Sequence, residues 1–267
     1  MKKIYICTDM EGVSEIDRGE MIPNNSGHYH YCVERLMADT NAAIDGAFLG
    51  GADHVTVLDG HARGGNFDLS LLDKRAEFDA RLDKEKWWGK FDESYWGFFC
   101  IGAHAMAGTT NGFLDHTINS GTIYNYFINN CRIGELGIFA MIGGHFGVPM
   151  VMASGDLAAV HEAAQLCSGI ELAEVKTGVS RMRARLLPNE EAENRIRQAA
   201  KRAVEKDERP KPFTPLLPME VKIEFLSSHH CDDAVNEPNV ERIDARTARK
   251  ISNSYLDCLL EKYTIAK

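Results

Sequence analysis

The sequence has no long apolar run and no excess of positive charge. A membrane-spanning helix needs about 20 consecutive apolar residues, and no stretch of this chain approaches that length. Lysine and arginine number 30 against 39 aspartates and glutamates, which gives a formal net charge of -9 at pH 7. Binding a polyanion requires a concentrated basic face. We therefore expect neither a membrane nor a nucleic acid as a partner.

The seven cysteines form no Cys-x-x-Cys pair, and their number is odd. This pattern favours free thiols over a disulfide framework or a thiolate zinc site. The amino terminus is Met-Lys-Lys followed by a short strand-like run, which is too brief for a secretory signal. These features predict a cytoplasmic protein.

Motifs of several well-known enzyme classes are also missing. The chain has no Gly-x-Ser-x-Gly elbow, no phosphate-binding loop of the Gly-x4-Gly-Lys-Ser/Thr kind and no Gly-x-Gly-x-x-Gly after its first strand. It also lacks His-Glu-x-x-His, which excludes a zinc site of the type built on a single helix.

What is present is a pattern of strands and helices in 267 residues, a length that can bury a sizeable core. Residues 2–8 and 55–58 are predicted strands, and residues 31–50 between them repeat apolar side chains at helical spacing. Strand, helix, strand is a βαβ unit with two parallel strands. Further strands are predicted at 97–101, 149–153 and 221–225, and further helices at 135–144, 157–166, 188–207 and 255–263.

The predicted fold class is α/β. We expect a largely parallel sheet flanked by helices, with the site at the carboxyl ends of the strands, plus a smaller C-terminal α/β portion. Four prolines between 210 and 218 mark a rigid connector, after which residues 219–267 form either a small lobe or a return to the main sheet. Residues 64–96 have an irregular pattern and are expected to cover the site or a neighbouring subunit.

Carboxylate and imidazole side chains follow four apolar runs. The residues are Asp9 and Glu11 after the first run, His61 after the second, His104 after Gly97–Ile101, and Glu135 a little after Tyr126-Phe127-Ile128. If all four runs are parallel strands of one sheet, their carboxyl ends lie along one edge, where open α/β folds place their sites. Three oxygen and two nitrogen donors suit zinc or a neighbouring divalent metal, and five ligands exceed the need of one tetrahedral ion. A pair of metals bridged by a shared carboxylate is the natural inference.

Each candidate also has an ordinary structural interpretation. An Asp-x-Glu-Gly after a strand occurs in structural turns, His61 lies in a glycine-rich loop, and His104 suits a hydrogen-bonded core position. Glu135 fits the first turn of a helix, where the helix dipole favours acids. His116 is open to three interpretations: a group that exchanges a proton or stabilises an oxyanion, a sixth metal ligand, or a surface histidine.

Taken together, the motifs resemble those of the zinc-dependent D-aminopeptidase family. They are Thr8-Asp9-Met10-Glu11-Gly12, Asp59-Gly60-His61, Gly102-Ala103-His104-Ala105, His116 and Ile133-Gly134-Glu135-Leu136-Gly137. Their spacing agrees with the family through the first 140 residues, and weaker similarity continues over nearly the whole chain. The resemblance implies a single catalytic domain over residues 1–267, with 219–267 as a possible sub-lobe.

The resemblance also implies two zinc ions per chain. The family's zinc ligands match Asp9, Glu11, His61, His104 and Glu135, with Asp9 in the place of the bridging carboxylate, and its proposed catalytic histidine matches His116. The implied activity is hydrolysis of short peptides from a free amino terminus, D-amino-acid peptides such as D-Ala-D-Ala among them, by a water that the metals activate. Known members form decamers of two stacked five-membered rings, which implies a self-compartmentalised peptidase.

Two other functions stay open on the sequence alone. One is an L-aminopeptidase or amidase with the same pair of metals, and the other is a non-catalytic, peptide-binding ring protein. The intact set of candidate ligands argues against the non-catalytic alternative. Three departures from the family pattern flank the expected pocket and bear on substrate preference: Gly60, the loop Ser14–Tyr31 and the aromatic segment Lys86–Trp96.

Overall fold

The computed structural model describes residues 1–81 and 88–260, which form two β-sheets and six α-helices. The strands are β1 (Lys3–Thr8), β2 (His54–Asp59), β3 (Glu77–Asp79), β4 (Gly97–Ala103), β5 (Ile123–Ile128), β6 (Cys131–Arg132), β7 (Met150–Asp156), β8 (Glu171–Ser180), β9 (Arg183–Leu186), β10 (Met219–Phe225), β11 (Val240–Arg242) and β12 (Thr247–Ser252). The helices are α1 (Tyr29–Leu49), α2 (Glu135–His145), α3 (Leu157–Leu166), α4 (Asn189–Glu205), α5 (Ser228–Ala234) and α6 (Tyr255–Cys258). Within the two described ranges, no helix combines the length and the apolar character that a membrane span needs.

The main sheet has seven strands in the order β3-β2-β1-β4-β7-β8-β9. Neighbouring strands are parallel except for β8 and β9. The central strands β4 and β7 are buried along their whole length, which explains why their sequences are apolar throughout instead of alternating. The predicted α/β fold with a largely parallel sheet is confirmed, and its predicted strands have slightly different bounds.

Helices cover both faces of the main sheet. Helix α1 packs against α4 on one face, in a core that contains Ile4 and Ile6 of β1. Helices α2 and α3 contribute to the opposite core, which contains Tyr5 and Cys7 of the same strand. Successive side chains of a strand point to opposite faces, so β1 is buried on both sides. The polar residues that follow β1 in the chain therefore lie beyond its carboxyl end.

The second sheet is antiparallel, with the order β11-β12-β10-β5-β6. It contains Tyr126-Phe127-Ile128, so the prediction that all four apolar runs belong to one parallel sheet is wrong for this run. The physical reason is the turn that follows: Asn129 and Asn130 both have positive φ, and β5 turns back into β6 as a hairpin. Asparagine tolerates this backbone conformation better than most residues, which makes an Asn-Asn pair a hairpin signal.

The C-terminal segment joins this second sheet, not the main one. Strand β10 pairs with both β5 and β12, so residues 123–132 and 219–252 build one sheet. Helix α6 covers the start of the helix predicted at 255–263, and residues 261–263 lie outside the described residues. In the segment 64–96, residues 77–79 form the edge strand β3, which the irregular pattern did not predict, and residues 82–87 lie outside the described residues.

Candidate metal centre

The carboxyl ends of three adjacent strands are tied together by backbone hydrogen bonds. The amide of Asp9 donates to the Ile101 carbonyl at 2.8 Å, and the amide of Gly60 donates to the Thr8 carbonyl at 2.9 Å. Gly12 donates to Gly102 at 2.7 Å and packs so closely that a Cβ atom built on it would lie 1.9 Å from the carbonyl oxygen of Ala103. Only glycine fits there, which explains the Gly that follows Asp9-Met10-Glu11.

Six candidate side chains meet at this edge in two clusters. The first cluster consists of Asp9, Glu11 and His61, and the second consists of His104, His116 and Glu135. Within each cluster, potential ligand atoms lie within 4.8 Å of one another. The structure thus brings together every site residue that the sequence predicts, even though Glu135 comes from the first turn of α2 and not from a strand end of the main sheet.

Asp9 joins the two clusters. Its Oδ1 lies 2.9 Å from Nδ1 of His61, and its Oδ2 lies 3.2 Å from Nε2 of His104. His61 Nδ1 is also 3.0 Å from Oε2 of Glu11, and His104 Nε2 is 3.2 Å from Oε1 of Glu135. A carboxylate with one oxygen in each cluster has the arrangement that a bridging ligand requires.

The histidines of the second cluster are held by backbone carbonyls. Nδ1 of His104 lies 3.1 Å from the Ala105 oxygen, and Nδ1 of His116 lies 2.8 Å from the Leu114 oxygen. If each Nδ1 carries the hydrogen, the neutral ring keeps a lone pair on Nε2, which is the tautomer that a metal ligand or a proton acceptor needs. The two rings are stacked, with centroids 3.9 Å apart, and Nε2 of His116 is 3.7 Å from Oε1 of Glu135.

Mutual electrostatics dominate the pKa values in these clusters. Burial disfavours a charge on His61, but Glu11 and Asp9 outweigh it and raise the pKa of His61 to about 11. Burial also opposes a charge on His104, yet Glu135 and Asp9 raise its pKa well above the usual value. Burial alone would raise the pKa of Asp9, whereas His104 and His61 hold it well below its ordinary range. The closely spaced carboxylates therefore stabilise positive charge between them.

The residues fit a pair of divalent metals. Oε2 of Glu11 and Nε2 of His104 are buried and make no hydrogen bond within the described ranges, although oppositely charged groups lie near both. Buried polar atoms that make no hydrogen bond are costly, and each of these points into a cluster. Three carboxylates and three imidazoles form a donor set that zinc accepts. A cation in each cluster would satisfy both orphaned atoms.

Asp59 holds the loop that carries His61. Its carboxylate accepts from the Asn66 amide at 2.6 Å and from the Asn66 side chain at 3.0 Å, and the same side chain donates to the His61 carbonyl at 2.9 Å. Asp59 therefore fixes the backbone around His61 through Asn66. Sequence reasoning did not identify Asn66, whose role depends on the fold of the loop.

Lys176 of β8 supports the segment after β1, and the sequence analysis also missed it. The fully buried Nζ donates to the backbone carbonyls of Glu11, Val13 and Ile16 at 2.6, 2.7 and 2.9 Å. Burial lowers the pKa of Lys176 to about 7, against the raising effect of Asp156. Strand β8 also contains Glu171, Glu174 and Thr177, so its residue pattern did not mark Lys176 as a buried side chain.

Replacing Lys176 with Met should destabilise the protein strongly. Methionine has similar volume but no donor, so three buried carbonyls lose their partner at ~1–3 kcal/mol for each group left unsatisfied. We expect urea unfolding to show a loss of about 3 kcal/mol or more in the free energy of unfolding. The matched control is Lys222→Met, whose exposed Nζ contacts Asn130 and lies over the Phe127 ring without donating to a buried carbonyl among the described residues. Equal effects of the two substitutions would contradict this role for Lys176.

Two adjoining cavities, which share Glu11, His61 and His116 as lining residues, open onto the clusters. The inner cavity, of about 160 Å³, is lined by the side chains of both clusters except His104, and by Phe139. The outer cavity, of about 620 Å³, extends from Glu11, His61 and His116 to the turn between β8 and β9. All candidate residues except His104 thus line a space that is large enough for a small molecule and not for a folded protein chain.

Comparison with known proteins agrees with this site. A D-aminopeptidase of Bacillus subtilis (strain 168) is 27% identical over 240 residues, which cover 90% of this chain and 87% of that protein. Among solved structures, the Zn-dependent D-aminopeptidase DppA from Bacillus subtilis, described as a self-compartmentalizing protease, matches with a TM-score of 0.92 at 24% identity, over 99% of this chain and 98% of that chain. This similarity establishes the shared fold.

A family model gives the assignment. The model of peptidase family M55, described as D-aminopeptidase, matches residues 1–260. This match covers the part of the chain that contains all the predicted motifs, and the family predicted from them is confirmed. The chain therefore belongs to the D-aminopeptidase family, peptidase family M55, and is an aminopeptidase.

Proposed function

We propose that the protein is a dizinc aminopeptidase that removes the first residue of short peptides with a free amino terminus, D-amino-acid peptides such as D-Ala-D-Ala in particular. The observation that carries this proposal is the position of Asp9, whose two carboxylate oxygens face histidines of different clusters. The zinc dependence stated for the structural neighbour supports the choice of metal. In this proposal, residues 1–267 act as one catalytic domain.

The proposed ligands divide between the two ions. One zinc would be held by Asp9, Glu11 and His61, and the other by Asp9, His104 and Glu135. His116 is proposed as the catalytic histidine and not as a ligand. Its Nε2 lies 3.7 Å from Oε1 of Glu135, and the residue lines both cavities. Bound zinc would supply a Lewis acid for the scissile carbonyl and lower the pKa of a water from about 15.7 toward about 7.

His116 would act as the proton donor of the reaction. The Leu114 carbonyl holds Nδ1, which directs Nε2 toward the clusters, where it lies 3.7 Å from Oε1 of Glu135. Protonated Nε2 can donate to an oxyanion that develops on the scissile carbonyl, or deliver its proton to the departing amine. Phe139 and Ile118 line the inner cavity beside it and limit access of bulk water.

Hydrolysis assays test the proposed function directly. We expect the zinc-loaded protein to cleave D-Ala-D-Ala, to lose this activity on chelation and to regain it when zinc is added back. L-Ala-L-Ala is the matched substrate, because it differs only in stereochemistry. Cleavage of the L-peptide alone would replace the D-specificity by an L-aminopeptidase activity, and failure to cleave any peptide after zinc loading would refute the proposal.

We propose further that the enzyme assembles as a homodecamer of two stacked five-membered rings and acts in the cytoplasm. The neighbouring structure is described as a self-compartmentalizing protease, which supports an enclosed oligomer. All seven cysteines are free, which suits a reducing compartment. Native mass spectrometry should give the mass of ten chains, and a monomer at micromolar concentration would contradict the ring.

A further inference from the structure

The two cavities at the metal centre differ in charge. Three carboxylates line the inner cavity with one arginine, Arg81, whose guanidinium donates to the Asp59 carbonyl. Among the described residues that line the outer cavity, Glu11 is the only acid, and Arg63 and Arg181 add two guanidinium groups beyond the cluster histidines. The carboxylates are therefore concentrated at the clusters, and two arginines lie in the adjoining outer cavity.

Arg181 is fixed beside the catalytic region. It lies in the turn between β8 and β9, and its carbonyl accepts from the Leu114 amide at 2.7 Å. Its Nε lies 3.3 Å from the Asp115 carbonyl and 3.5 Å from Oδ1 of the same residue, which directly precedes His116. Nε thus holds the guanidinium plane in place, and the side chain remains 47% exposed.

The outer nitrogens of Arg181 are available to a ligand. Nη1 makes only a weak contact with the sulfur of Met182 at 3.7 Å, and Nη2 has no partner among the described residues. Two parallel N–H groups of a guanidinium match the two oxygens of a carboxylate. Arg63 makes no hydrogen bond within the described ranges either, but nothing holds its exposed side chain in one orientation.

We infer that Arg181 binds the C-terminal carboxylate of the substrate, which makes free di- and tripeptides the preferred substrate class. This inference rests on the proposed aminopeptidase function. A short peptide is a zwitterion whose ammonium end matches the carboxylates of the inner cavity and whose carboxylate end matches the arginines of the adjoining outer cavity. Each residue beyond the scissile bond adds at most about 3.6 Å of chain, so only a short peptide places its carboxylate within an outer cavity of this size.

The kinetic test compares D-Ala-D-Ala with its C-terminal amide, which presents the same scissile bond without the negative charge. Zinc-loaded wild-type protein should favour the free acid by ~10–100-fold in kcat/KM, the value expected for one charge-assisted interaction. Arg181→Gln should lower kcat/KM for the acid by this factor, mainly through KM, and leave the amide unchanged. Arg181→Lys should restore part of the preference, and Arg63→Gln should retain it.

Binding provides a readout that does not depend on turnover. The probe is D-Ala-D-Ala with its peptide bond replaced by CH2–NH, prepared as acid and as amide and titrated calorimetrically into the zinc-loaded protein. The acid should bind ~10–100-fold more tightly to wild-type protein, and Arg181→Gln should abolish the difference. Equal affinities in wild-type protein, equal weakening of both probes by Arg181→Gln, or loss of the preference in Arg63→Gln would each overturn the inference.

The same data separate this inference from the proposed function. A protein that cleaves acid and amide equally well is an aminopeptidase without a carboxylate anchor. A protein that cleaves neither, yet binds the acid probe preferentially through Arg181, has the anchor and lacks the proposed activity. Thermal unfolding of each variant confirms that the comparison is made between folded proteins.

Discussion

Replacing Asp9 with Asn is expected to remove both zinc ions and to lower kcat/KM for D-Ala-D-Ala on the order of 10³-fold or more, since Lewis-acid activation of carbonyl and water is worth several kcal/mol. Asparagine keeps the shape of the side chain and loses the negative charge that the two clusters share. The corresponding changes Glu11→Gln and Glu135→Gln each affect one cluster. They should each lower the zinc content by one ion.

Measuring the zinc content of the dialysed variants distinguishes the loss of two ions from the loss of one. Asp53→Asn serves as the control, because this exposed aspartate at the edge of β2 contacts the Lys2 amide and lies outside the site. It should retain the zinc content and activity of the wild-type protein. If Asp9→Asn loses only one zinc, Asp9 belongs to a single metal and the bridge is wrong.

His116→Ala should leave the zinc content intact and lower kcat by ~10²–10⁴-fold, which is the usual contribution of a general acid or base. The alanine variant removes the Nε2 group that faces Glu135 and both cavities, and it removes no proposed ligand. His116→Gln restores a neutral donor without proton transfer. A higher kcat of the Gln variant than of the Ala variant would indicate that His116 stabilises an oxyanion. Equal kcat values of the two variants would indicate that it donates a proton.

The control for His116 is His145→Ala, an exposed histidine at the end of α2. It should change neither zinc content nor turnover. If His116→Ala loses zinc to the same extent as it loses activity, His116 is a sixth ligand and the catalytic proton must come from another group.

The sequence predicted the four strands β1, β2, β4 and β7 of the main sheet because they are largely buried, whereas β3, β8 and β9 were not predicted. Strand β4 is apolar at every position, and β1 ends abruptly at Asp9, so burial and strand ends are both visible in the residue pattern. The parallel arrangement then brings Asp9, His61 and His104 to one edge. Their roles as ligands stay a prediction, whereas their proximity is a property of the fold.

Contacts between residues that are far apart in the chain could not be predicted from the sequence pattern. Glu135 reaches the site from helix α2 after a hairpin in the second sheet, so its position was right although the proposed strand arrangement was wrong. Lys176 contacts the Glu11 carbonyl across 165 positions of chain. Hydrogen bonds from a side chain to a distant backbone depend on the folded loop and leave no periodic signal. Arg181, in a turn after an ordinary strand, was hidden for the same reason.

Zinc stoichiometry of the wild-type protein tests the central claim most directly. The protein would be loaded with excess zinc, freed of unbound metal by gel filtration and analysed by inductively coupled plasma mass spectrometry against its concentration. Two clusters that share Asp9 predict two zinc ions per chain. Saturation at one ion per chain would contradict the dizinc centre, and with it the bridging role of Asp9.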